Sequence, residues 1–147
     1  MVALPPLEKR KFSYAFRFVD LTKLPVTGSK QSRQIEVTAQ FHSSDSSLRD
    51  RFQIRLAAFA EDAAEAREIW VHDHVDEQAL MHVVKTAKSK RGDDGWLTVR
   101  SVMDVPAEAR VLLVSLASAV GDNDSSKTTH YLDDVQVRLI TQDDVLP

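Results

Sequence analysis

At 147 residues, with a formal charge of −3 and no cysteine, the chain is long enough to bury a core without covalent staples. It lacks the basic surplus of a nucleic-acid binder and excludes disulfides and thiolate-ligated metals. No run approaches the roughly 20 apolar residues of a membrane helix, and the start has no apolar signal-peptide core.

The chain reads as one domain over 11–142, between a linker-like lead at 1–10 and a tail at 143–147. Pro5-Pro6 cannot join a ladder and favours an extended lead-in, as if a larger protein had been cut here. Phe12, Tyr14, Phe16 and Phe18 then alternate with smaller or polar residues, the period of a strand. Four aromatics at period two predict an inner, core-facing row, with a sugar-stacking strip as the functional alternative. A loop follows at 24–29 by composition.

The second strand covers about 33–41, with Ile35, Val37, Ala39 and Phe41 inward and Gln34, Glu36, Thr38 and Gln40 outward. His42 opens a polar loop. The third strand, 51–58, places Phe52, Ile54 and Leu56 inward, and Phe59 breaks the phase, which suggests a bulge or the strand's end. Asp62 with Glu65 resembles a capping box at the head of one short helix ending near Trp70. A second helical turn is expected over 76–81. A strand over 82–90 then pairs across the Gly-Asp-Asp-Gly hairpin chemistry of 91–95 with the strand from Trp96.

Residues 111–116 are apolar at both parities, which predicts a strand covered on both sides. A flexible loop over 121–126 leads into the last strand, where Val135, Val137 and Leu139 alternate with Gln136 and Arg138. If that strand is regular, Asp133 shares the inward parity of the valines. The expected architecture is an all-β antiparallel sandwich of the jelly-roll type, with about 7–9 strands and one short helix.

Asp104-Val-Pro106, the apolar strand after it and Tyr131-Leu-Asp-Asp-Val135 together resemble the ending of β-jelly-roll carbohydrate-binding modules and galactose-binding-like domains. The resemblance covers roughly the last third of the chain and implies a non-catalytic binding module. It also implies exposed aromatics as sugar contacts, for which Trp70 and Trp96 are the candidates, and a structural calcium ion held by acidic residues near the terminal strands. Asp133 is the candidate ligand, its alternative role being a cap on a neighbouring turn.

The stretch that looks most like chemistry is His72-x-His74-x-Asp76, followed by Glu77 and, shortly after, His82. It resembles the start of the zinc signature of metallo-β-lactamase-like hydrolases, but that signature continues with His where Glu77 stands. His72 and His74 are kept as candidate ligand-binding residues, with a solvated polar loop as the plain alternative. There is no phosphate-binding Gly-rich loop and no nucleophile elbow.

The leading expectation is a module of a larger extracytoplasmic protein, periplasmic or secreted and fused to other segments, binding a saccharide or envelope component. It binds no nucleic acid and does not itself span a membrane. The alternative is an extracytoplasmic sensory or scaffolding domain of a membrane-anchored, anti-sigma-factor-like regulator acting through contacts with another protein. A metal-dependent hydrolase built on His72, His74 and Asp76 is the third reading.

Overall fold

Strict apolar–polar alternation builds two four-stranded antiparallel sheets that face each other. The computed structural model describes residues 2–3, 13–23, 33–43, 50–88, 96–119 and 130–140. The strands are β1 (Val2–Ala3), β2 (Ser13–Asp20), β3 (Arg33–Ser43), β4 (Arg51–Phe59), β5 (Met81–Lys88), β6 (Leu97–Val105), β7 (Val111–Ala119) and β8 (His130–Ile140). Helices α1 (Ala63–Val71) and α2 (Val75–Gln78) lie between β4 and β5. One sheet has the order β1-β8-β3-β6 and the other β2-β7-β4-β5. That order is the jelly roll, a long hairpin rolled so that its arms alternate between two layers.

The two sheets bury a core in which Ile35, Val37, Ala39 and Phe41 of β3 oppose Phe52, Ile54 and Leu56 of β4. Phe41 and Phe52 stack across the interface with centroids 4.8 Å apart. At one end of this core a polar group is enclosed. Buried His130 contacts Ser118 Oγ through Nδ1 at 2.8 Å and Asp50 Oδ2 through Nε2 at 3.2 Å. The trio has the membership of a hydrolytic triad. It is walled in by the sandwich, however, and Ser118 has no exposed surface for a substrate to reach.

As expected, β7 is buried at all nine positions. Leu112, Val114 and Leu116 enter the inter-sheet core, whereas Val111 and Leu113 point the other way. There they meet Ala57 and Phe59 of β4, Ala66 and Ile69 of α1, and Val75 of α2, forming a second core on the outer side of the sheet. Of the two expectations for Phe59, the strand's end holds and the bulge does not: β4 closes at Phe59. It pairs in register with Val111, and its phase changes because the strand acquires cover on its second face.

Three further expectations are corrected. The aromatic row of β2 faces outward: Tyr14 and Phe16 are each 40% exposed, while Ala15 and Val19 pack on the inter-sheet core. Period two identifies a strand but not which face is wet, and the second core rewards large rings on the outer side. In β8, a register shift opposite Thr38–Gln40 and a positive φ of 49° at Asp134 mark a bulge. His130 and Leu132 point inward before the bulge and Leu139 after it, so Asp133 falls on the exposed outer face and does not share the inward parity of the valines. Finally, the strand of His42 continues to Ser43, α2 begins at Val75, and Val2–Ala3 of the lead pairs with Tyr131 and Leu132. Phe12, the loops expected at 24–29 and 121–126, the hairpin at 91–95 and the tail at 143–147 lie outside the described residues.

Truncating the inter-sheet stack removes both transfer energy and packing. Phe41→Ala is expected to lose about 3–5 kcal/mol in chemical denaturation, against about 1 kcal/mol for Asp62→Ala, which removes the carboxylate that caps α1.

Candidate binding groove

Helix α1 covers only part of the outer face of the β2-β7-β4-β5 sheet, and the uncovered part forms a groove. Cross-strand rows set its contents: Tyr14, Ala117 and Gln53 stand in one row, Phe16, Ser115 and Arg55 in the next. The third row, Phe18, Leu113 and Ala57, lies under the helices. Trp70, in the last turn of α1, forms the wall facing the open rows. Its ring meets Tyr14 edge-on at 5.8 Å and Phe16 at 5.7 Å with a 52° tilt. The space enclosed is about 530 Å³, within the range of small-molecule sites.

The helix stops where it does because of a defined cap. His74 N–H donates to the Ile69 carbonyl at 2.9 Å and Asp73 N–H to the Trp70 carbonyl at 3.2 Å, with Asp73 at φ 58°. This is a Schellman motif with aspartate at the left-handed position that glycine usually takes. The His-x-His-x-Asp spacing is thus the spacing of a helix stop. His72 lies 3.3 Å from Glu68 of its own helix and His74 lies 3.6 Å from Glu77, each pair exposed. Among the described residues, no group of three or more His, Asp or Glu is placed to hold a metal ion. The zinc-hydrolase expectation on His72, His74 and Asp76 finds no assembled ligand set there.

Asp76 and His82 serve a different purpose, which is to hold Arg55. The Arg55 guanidinium donates through Nη2 to Asp76 Oδ1 at 2.9 Å and through Nε to His82 Nε2 at 2.8 Å. With Nε2 accepting, the neutral ring carries its proton on Nδ1, which lies 3.2 Å from Asp76 Oδ1. So fixed, the guanidinium carbon sits 5.6 Å from the Trp70 ring centroid, within cation–π range. Burial, reinforced by the Arg55 charge and opposed by Asp76, holds the His82 imidazole below its ordinary range.

The two tryptophans singled out in the sequence do not share a site. Trp96 lies on the opposite sheet's outer face, where His42 stacks between it at 5.1 Å and Tyr131 at 6.2 Å. Asp133 stands on that same face, opposite Gln40. Neither His72 nor His74 lines the groove, whereas Tyr14, Phe16, Gln53, Arg55 and Ser115 do. The period-two aromatics of β2 carried a signal for the first two. Arg55 looked like any outward residue of an alternating strand, because its partners come from α2 and β5.

An aromatic-walled groove with a guanidinium, an amide, a hydroxyl and the Asp73 carboxylate offers apolar ring surface beside hydrogen-bonding groups. Among the described residues lining it there is one carboxylate and no imidazole, short of the paired acid and base that glycoside hydrolysis requires. No family model matches the chain, and no curated protein matches it.

The His82 network has a pH consequence. Because the folded-state pKa lies below the ordinary 6.5, the unfolded chain gains the proton first as pH falls, so folding stability drops from neutral pH downward until the folded state protonates as well. His82→Gln, which can still accept from Arg55 but does not titrate, is expected to flatten this part of the urea-midpoint profile between about pH 7.5 and pH 5.5.

Proposed function

We propose that this chain is a non-catalytic jelly-roll binding module of a larger extracytoplasmic protein and that it captures a saccharide of an envelope or extracellular glycan in the Trp70 groove. The observation that carries the reading is the outward turn of the β2 aromatics. Tyr14 and Phe16 turn outward and pack against the Trp70 ring, so the three rings form one partly exposed aromatic wall beside the open rows of the sheet. Pyranose rings present apolar C–H faces to aromatic surfaces and hydroxyls to planar polar side chains, and Gln53 and Arg55 supply the latter.

The charge balance favours an uncharged sugar. Arg55 is already paired to Asp76, and Asp73 adds a negative charge at the rim. A sulfated or uronate-rich chain would meet a carboxylate with no uncommitted cation to offset it among the groove residues. The jelly-roll strand order and the resemblance of the terminal strands to carbohydrate-binding modules point the same way, although one fold carries many tasks.

Calorimetric titration with a panel of neutral and acidic oligosaccharides tests the proposal. A neutral oligosaccharide is expected to bind, and Trp70→Ala or Tyr14→Ala to weaken it tenfold or more, about 1.4 kcal/mol or above. Trp96→Ala is expected to leave the affinity unchanged. Binding that survives both groove substitutions, or a panel without any ligand, would sink the assignment.

A further inference from the structure

Two of the four sheet edges carry an inward charge that guards against a further strand, and a third has no open cleft beneath it. On β2 the inward parity carries Arg17 at the mouth of the inter-sheet cleft, and on β5 it carries exposed Lys85, opposite Ile54. Inward charges of this kind block edge-to-edge pairing. On β6 the inward residues Val99, Ser101, Met103 and Val105 are all buried, so that edge offers no open cleft.

The fourth edge is different. β1 pairs with β8 only at Tyr131 and Leu132, so beyond the bulge at Asp134 and Val135 the strand is paired with β3 over Gln136 to Ile140 and with no other strand among the described residues. Below it, Val135 and Val137 remain 42% and 43% exposed over a largely apolar cleft of about 280 Å³ that also reaches Ala15, Val19 and Val114, with Arg17 of β2 at its mouth. The inward residues here are Val135, Val137 and Leu139, with no charge among them.

We propose that this edge pairs with the same edge of a second copy of the chain, antiparallel about a two-fold axis at Val137. The residue pattern is self-complementary in that register. Val137 meets Val137 and Val135 meets Leu139 on the inner side, capping the cleft of each copy. On the outer side Arg138 stands opposite Gln136 and is flanked diagonally by the twin's Asp134 and Arg138, so each strand offers one cation and one anion to its twin and the Asp134 contact offsets the like-charge one. Asp134 and Gln136 already share that face, bonded at 3.0 Å, and Arg138 lies on it 3.3 Å from Glu36. The two sheets become one eight-stranded sheet, and the unguarded edge disappears.

Because the chain lacks cysteine, a single thiol reports directly on the pairing. Sedimentation velocity across a concentration series is expected to show a species of twice the chain mass. Mild oxidation of the Val137→Cys variant is expected to give a covalent dimer in high yield, against little from Glu108→Cys on the exposed turn after β6. Val137→Lys, which installs an inward charge like those of β2 and β5, is expected to be folded by circular dichroism and monomeric. A chain monomeric at every concentration, with the Val137→Cys variant cross-linking no faster than the Glu108→Cys control, would overturn the proposal. A dimer insensitive to Val137→Lys would overturn it too. So would a monomer whose edge amides over 134–140 exchange slowly, since another segment of the same chain would then cover the strand.

Discussion

The structure depends on one strand that is apolar on both faces. A jelly roll has two layers, and a strand within it has one face toward the opposite sheet and one toward solvent. β7 breaks that rule: Val111 and Leu113 face outward, where a plain sandwich would leave them in water. At about 25 cal/mol per Å² of apolar surface, exposing two such side chains beside Phe59 and Ala57 is a substantial penalty. The insertion between β4 and β5 removes it. α1 and α2 form a local third layer, seated by Ala66, Ile69 and Val75.

The groove is the remainder of that solution. Beyond Leu113 the outward residues of β7 shrink to Ser115 and Ala117, which no longer require a helix above them. The Schellman cap at Asp73 ends α1 at that point, leaving Trp70 at the boundary between covered and open sheet. Arg55 is then fixed by the same insertion, through Asp76 of α2 and His82 at the start of β5. Cover for the second core and construction of the site are therefore one event.

The sandwich class, the strand spans of β3 to β8 and the double-sided burial of β7 were all legible, because each follows from local periodicity. What periodicity lacks is a sign. Tyr14 and Phe16 alternate as regularly as Ile35 and Val37, yet one pair faces out and the other in, and only the helix packed over β2 decides between them. The inward parity expected of Asp133 failed for a related reason. One bulge at Asp134 reverses parity, and nothing in Tyr131-Leu-Asp-Asp-Val135 announces a positive φ beyond the tolerance of aspartate for it. The His-x-His-x-Asp stretch misled because helix caps and metal sites draw on the same short polar residues, and only backbone hydrogen bonds tell them apart.

The strand order also governs how the chain assembles. The pairs β4–β5, β3–β6, β2–β7 and β1–β8 are nested one inside the next, so each outer pair closes a longer loop than the pair within it. Loop-closure entropy rises with that length, and non-local pairing is what slows β-proteins. The innermost pair, with its helical insertion, has the smallest entropy of closure, whereas β1 and β8 join the most distant parts of the chain. The wall that carries Trp70 sits at the tip of that innermost pair, where closure costs the least entropy.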